Sequence, residues 1–248
     1  MARTAREKSD SGIYHIMLRG IDKQLILEDD EDNQRLKEIL YQCKEISGYK
    51  LYAYCFLGNH IHLLLKTEKE SLAQIFKRIG ARYVYYFNQK YKRSGHLFQD
   101  RFKSEPIDDD SYFLTVLRYI HNNPVKAGLS KIAAGYQWSS YNEYIKLNNL
   151  VDVEFVFGII NRDEFVRLHN ELDLDSVLDV REDNFRITDS EALIIVKEVC
   201  GIDRRSDILG LDIAKRNLFI KTLRGKGLSI RQISRVTGVS KGTIERIK

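Results

Sequence analysis

The sequence predicts an α+β fold, and three observations carry that expectation. Between residues 10 and 122, strand-like runs rich in Tyr, Ile, Leu and Phe alternate with helix-period segments in the order β-α-β-β-α-β-α. A two-residue link, Gly58-Asn59, joins two of those runs directly. From residue 190 onward the pattern is helical, with no strand signal. The β-α-β-β-α-β order is that of the split βαβ, ferredoxin-like arrangement: an antiparallel sheet with helices on one face, its other face free to carry a site. An all-α helix-turn-helix domain is expected to follow.

Each element has its own signal. Ile13 to Arg19 (IYHIMLR) reads as a strand. A helix is expected from about Asn33 to Ser47, where Leu36, Ile39, Leu40 and Cys43 share one face and Gly48 closes it. Tyr49 to Leu57 and His60 to Lys66 read as a hairpin across Gly58-Asn59, and a second helix covers about Ser71 to Tyr91. A strand is expected around His96 to Ile107, after the Ser94-Gly95 turn. A third helix starts at Asp109/Asp110 and runs to about Asn122, because the proline at 124 disfavours α geometry at Asn123. Later, Ser190 to Cys200 and Leu211 to Leu223 are helical runs. Ile230 to Thr237 and Lys241 to Ile247 are short helices separated by Gly238-Val239-Ser240. Ile233, Val236, Val239 and Ile244 fall where a helix-turn-helix buries its contacts, which puts Ser240, Lys241, Thr243 and Arg246 at the start and outer face of its second helix.

Composition narrows the class. The chain has 248 residues, 43% hydrophobic and 30% charged, enough to bury a core. No apolar run approaches the roughly 20 residues of a bilayer crossing. The start, MARTAREKSD, has no apolar segment of a secretory signal, so a cytoplasmic protein is expected. Cys43, Cys55 and Cys200 are scattered and without a C-x-x-C, which argues against a disulfide scaffold or a cysteine zinc site. The net charge of +5 is unevenly spread: eight Lys/Arg against one acid from 77 to 103, eleven acids against four Lys/Arg from 151 to 190, and ten Lys/Arg against two acids from 211 to 248. Two basic blocks flanking an acidic one suggest two surfaces for a polyanion. The expected organisation is a first domain over 1–148, an acidic helical connector over 149–189 and the helix-turn-helix domain over 190–248.

The sharpest local motif is Gly58-Asn59-His60-Ile61-His62. On a strand His60 and His62 point to the same face, where two imidazoles can chelate one divalent cation; structural histidines remain an equal reading. In the second cluster, Tyr119 and Asn123 lie one helical turn apart, so an Asn123 carboxamide oxygen and the Tyr119 phenol could serve the same ion. From these residues alone, a core tyrosine and an Asn-Pro helix stop are the simpler explanation.

Together the segments YHIMLRG, GNHIHLLL, RSGHLFQDRFKS and YIHNNPVKAG, in that order, resemble the single-tyrosine HUH transposases, and within them the REP-associated tyrosine transposases. The resemblance covers roughly residues 10 to 145; Gly58 stands where the family more often has proline. It implies that His60 and His62 are metal ligands with Asn123 as the third, that the metal is Mg²⁺ or Mn²⁺, and that Tyr119 is the nucleophile. The product would be a 5′-phosphotyrosine and a free 3′-OH. It implies a partner too, single-stranded DNA with hairpins beside a short guide sequence, touched by Arg93, His96, Arg101 and Lys103, with Phe98 supporting the sheet. Tyr83, Tyr85, Tyr86 and Tyr91, with Asn88, form a rival cluster, expected instead to pack helix against sheet and to contact DNA. Duplex DNA is the expected partner of Lys241, Thr243 and Arg246. A replication initiator or relaxase shares the paired histidines and tyrosine, and a non-catalytic DNA-binding regulator would use the C-terminal domain alone. Monomer and homodimer are both open.

Overall fold

The computed structural model describes residues 7–146, 150–170, 177, 189–200, 208 and 210–247. Two compact units emerge, one of Met1–Ile26 and Glu31–Asp183, the other of Leu27–Asp30 and Asn184–Lys248.

The first unit is built on four strands: β1 (Ile13–Arg19), β2 (Lys50–Leu57), β3 (His60–Lys66) and β4 (Lys103–Ile107). They form one sheet in the order β2-β3-β1-β4, every neighbour antiparallel, as the split βαβ order requires. Helix α1 (Asp30–Ser47) lies between β1 and β2, and α2 (Leu72–Lys90) between β3 and β4. Ser71 caps α2 in a box with Gln74, so the strand-to-helix boundary is set by a side chain that satisfies an otherwise orphaned backbone N–H. Lys37 of α1 reaches over the Tyr54 ring of β2, and Arg82 of α2 bonds Gln42 of α1. These two helices therefore pair on the Tyr54 face of the sheet.

Helix α3 (Asp110–Lys126) takes the opposite face, where Tyr119 meets His15 and His62 and Phe113 meets Tyr52. That face is therefore roofed, and the site lies beneath α3. The sequence reading ended α3 before Asn123, but the helix continues through Pro124 to Lys126. A proline this close to a helix end forfeits one backbone bond, and the following turn recovers what it needs. Ala127 N–H donates to Asn123 O and Leu129 N–H to Pro124 O, and Gly128 adopts the left-handed φ of +71° that closes the helix.

The strand expected from His96 is shorter, Lys103–Ile107. Residues 97–99 run beside the end of β1, with Ile21 N–H donating to Leu97 O and Gln99 N–H to Arg19 O, but the ladder breaks before Lys103.

Part of the acidic segment packs on this unit. Helices α4 (Tyr141–Lys146), α5 (Val153–Ile159) and α6 (Arg162–Asn170) follow, with Phe155 against Tyr52 and Phe113 and with Phe165 stacked on Tyr144. The free edge of β2 is covered: Phe56 N–H donates to Trp138 O and Ser140 N–H to Tyr54 O. Residues 171–176 and 178–188, also assigned to the connector, lie outside the described residues.

The second unit is helical: α7 (Asp189–Cys200), α8 (Ile213–Gly225), α9 (Ile230–Thr237) and α10 (Lys241–Arg246). Its core gathers Ile220, Leu223, Ile233, Val236, Val239 and Ile244. Ser229 and Ser240 cap α9 and α10, and Gly238 ends α9 at φ +77°. Among the described residues no helix is long and apolar enough to cross a membrane.

Candidate active site

Opposed residues of an antiparallel ladder share a face. The registers Arg19↔His60, Met17↔His62 and Met17↔Lys103 therefore place both motif histidines on one side of the sheet with Arg19, Met17 and Lys103. His15, two residues before Met17, and Glu105, its partner on β4, belong to the same face. Cys55 stands opposite His62 on β2; burial pushes its thiol well up and keeps it protonated.

His60 and His62 have ring centroids 5.0 Å apart, and both are buried. The Asn59 carboxamide oxygen accepts from His60 Nδ1 at 2.6 Å, which places the ring proton on Nδ1. His62 Nδ1 lies 2.9 Å from His15 Nε2, and its Nε2 is buried with no hydrogen-bond partner among the described residues. Burial first, then His60 and His15, hold His62 far below the ordinary histidine range, so the imidazole is neutral. A neutral His62 with an Nε2 unpartnered among the described residues, beside His60, fits the donor set of a divalent transition metal or of Mg²⁺ with further oxygens.

From α3, the Tyr119 ring stands 5.7 Å from the His62 ring and 5.9 Å from the His15 ring. Asn123 is one turn further along the same face, buried, with its amide nitrogen without a partner among the described residues. Exchanging the two ends of a carboxamide changes no shape, so an oxygen can take that place. Lys126, two turns beyond Tyr119, carries its ammonium 4.5 Å from the Tyr119 ring centroid.

The rival tyrosines are otherwise engaged. Tyr83 donates to Ile26 O, and Tyr86 and Tyr91 both donate to Asp32. Burial raises Tyr86 to about 12. Asn88 donates to Gly95 O, and Tyr85 is exposed.

The remaining sites divide. His96 and Arg101 are exposed and line an open groove of about 720 Å³ with Phe98, Tyr85 and Lys77. Lys103 and Arg101 line a smaller cavity of about 120 Å³ with Arg19 and Met17, on the face that carries His60 and His62. Arg93 is different: its guanidinium donates to Gln24 Oε1 at 3.1 Å and to His96 O at 2.9 Å, so it fastens the loop from within. In the second unit Lys241 and Arg246 are exposed and Thr243 is half-buried, with its hydroxyl against Ser240.

Residues given no site role from sequence are His15, Arg19, Asn59, Glu105 and Lys126. Period-2 alternation along IYHIMLR could have flagged His15 and Arg19 as polar residues on one strand face, but no pattern in the sequence alone sets them opposite β3.

Residues 8–123 match the family model described as transposase IS200 like. A protein of Haemophilus influenzae named as a REP-associated tyrosine transposase is 28% identical over 158 residues, which cover 59% of this chain and 89% of that protein. Among solved structures, one of a REP-associated tyrosine transposase bound to a REP hairpin has a TM-score of 0.51 at 17% identity, covering 60% of this chain and 90% of that one; the likeness is one of fold. The family match ends at residue 123, so the helical unit lies outside it.

Proposed function

We propose, for a chain whose residues 8–123 match the model of IS200-like transposases, that it cleaves and rejoins hairpin-bearing single-stranded DNA through Tyr119. The observation that carries the reading is the convergence of Tyr119 on the buried pair His60 and His62, in which His62 Nε2 has no hydrogen-bond partner among the described residues. An unpaired buried nitrogen costs on the order of 1–3 kcal/mol, a cost that ligation of a metal removes. His60, His62 and Asn123 would hold Mg²⁺ or Mn²⁺. Such an ion, when bound, polarises a phosphodiester and offsets the charge that develops on its oxygens.

The chain's own residues do the rest. The Tyr119 oxygen attacks phosphorus, giving up its proton. A Tyr–O–P bond forms and the P–O3′ bond breaks, and the departing 3′ oxygen takes up a proton. The products are a 5′-phosphotyrosine and a free 3′-OH, and attack by a 3′-OH on that phosphotyrosine reverses the step without external energy. Lys126 sets positive charge beside the phenol. Arg19, Arg101 and Lys103 supply cations for the phosphates that flank the cleaved one, and the groove of Phe98, Tyr85 and His96 offers rings on which unpaired bases stack.

The second unit is the duplex-binding module in this reading, with Lys241, Thr243 and Arg246 at the start and outer face of α10. Arg246→Ala would weaken duplex binding and leave single-strand cleavage intact; equal loss of both would sink the two-module picture. The deciding experiment is cleavage of pooled hairpin-bearing single strands with Mg²⁺ or Mn²⁺ by the wild type and Tyr119→Phe. A protein–DNA adduct that survives denaturation in the first and is absent from the second establishes reaction and nucleophile together. An adduct persisting in the variant would refute Tyr119, and tight DNA binding without any adduct would favour a regulator.

A further inference from the structure

Glu105, His15 and His62 form a hydrogen-bonded series whose proton positions follow from its outer end. The Glu105 carboxylate only accepts. Its Oε1 takes the Tyr112 hydroxyl at 2.8 Å, and its Oε2 faces His15 Nδ1 at 3.4 Å. Burial, then Glu105 itself, pushes the Tyr112 phenol up, so that hydroxyl remains a donor. With one ring proton, His15 places it on Nδ1 towards the carboxylate, which leaves Nε2 as an acceptor. At 2.9 Å from that acceptor, His62 Nδ1 must be the N–H. The remaining His62 nitrogen, Nε2, is left with a bare lone pair, and it is the buried atom with no hydrogen-bond partner among the described residues. His15 and His62 are both fully buried, so water does not compete for these positions.

We propose that His15, held by Glu105, is a positioning residue that presets His62 as an Nδ1–H tautomer with Nε2 turned to the metal. Asn59 does the same for His60 from the hairpin turn, by a shorter route. An imidazole that donates from its second nitrogen is oriented and made more basic, and removing such a partner typically weakens metal binding by roughly 10- to 100-fold. The two histidines also stack, centroids 5.2 Å apart and planes 24° from parallel, so His15 restrains the ring as well as its proton.

The proposal rests on the reading of His60 and His62 as metal ligands, and the test separates the two. Long-range ¹H–¹⁵N spectra of the full chain without metal report the tautomer of each histidine; Mn²⁺ titration followed by electron paramagnetic resonance reports affinity. The wild type is expected to show His62 as Nδ1–H alone. His15→Phe keeps the ring volume and removes the acceptor, and is expected to give mixed tautomers at His62 and a roughly 10- to 100-fold weaker Mn²⁺ affinity. His15→Gln can still accept from His62 and donate to Glu105, and should recover most of that loss. Glu105→Gln, at a half-exposed position, provides the same tautomer readout should His15→Phe fail to fold. His62 found as Nε2–H in the wild type, or His15→Phe matching the wild type in tautomer and affinity, would overturn the proposal. A wild type with the expected tautomer that binds no Mn²⁺ would support the hydrogen-bonded series and refute the metal assignment instead.

Discussion

The Lys126 ammonium lies 4.5 Å from the centroid of the Tyr119 ring, two turns later on the same face of α3. A cation over an aromatic face is held by the ring's quadrupole, and the same placement puts a positive charge beside the atom that attacks phosphorus. Lys126→Met keeps the stem that covers the ring and removes the charge. Cleavage is expected to slow on the order of 10²-fold, the scale for losing one charge-stabilising group at a reacting centre. Single-strand affinity should fall far less. Single-turnover adduct formation measures the first and filter binding the second. An unchanged rate would reduce Lys126 to a support for the ring.

Asn123 shares that face one turn nearer, buried, with an amide nitrogen that has no partner among the described residues. Asn123→Ala should leave folding nearly intact, because the amide nitrogen makes no hydrogen bond among the described residues, yet abolish metal-dependent cleavage. Asn123→Asp supplies a harder oxygen and should retain or tighten Mn²⁺ binding. Calorimetric Mn²⁺ titration of the three proteins checks this. Equal Mn²⁺ affinity in all three would remove Asn123 from the ligand set.

The strand order and the His-x-His face were legible in the sequence because period-2 alternation and a two-residue turn are local signals: β3 begins at His60 and ends at Lys66 as its pattern implies. The length of α3 was not. Proline's local bias at Asn123 yields to the packing of Phe113, Leu117 and Ile120 against the sheet, and to the closing turn at Gly128. His15 and Glu105 escaped for a different reason. Their meaning depends on β1 lying between β3 and β4, a pairing between segments some 90 residues apart in sequence that no short motif encodes. The acidic run was legible as charge and as short helices, but its packing was not. Phe155 and Phe165 anchor it to the first unit, and its exposed acids say nothing of them.

Arg93 and Arg101 stand eight residues apart in one basic segment and should respond differently. Arg93 holds Gln24 and the His96 carbonyl over the Phe87 ring, whereas Arg101 is exposed between groove and cavity. Arg101→Ala should weaken single-strand binding and lower the salt slope of log K by about 0.7, one phosphate's worth on a single strand. Arg93→Ala should lower thermal stability by loosening residues 93–99, with the salt slope nearly unchanged. The reverse pattern would return Arg93 to the DNA-contacting set.

A second pair of buried histidines sits on the far side of α3 from the site and sets a pH limit on the first unit. His169 Nδ1 donates to Phe165 O at 2.7 Å, His121 Nδ1 lies 2.8 Å from His169 Nε2, and Ser140 Oγ is 2.8 Å from His121 Nε2. A second proton on His169 Nε2 would leave two N–H groups facing each other, and one on His121 Nε2 would turn the Ser140 hydroxyl from donor to acceptor, its own proton then going to Tyr54 O. Burial lowers His169 to about 4 and holds His121 well below 6.5. A histidine depressed in the fold binds its proton first in the unfolded chain. Its stabilising effect is therefore complete above about 6.5 and is lost as the pH falls from there towards 4, at up to about 1.4 kcal/mol per pH unit for each proton taken up on unfolding. His169→Gln should be less stable at neutral pH and should take up about one proton fewer on unfolding in that window. Chemical unfolding of both proteins between pH 7 and pH 5 measures the difference, and equal proton uptake would show that His169 is charged in the folded protein.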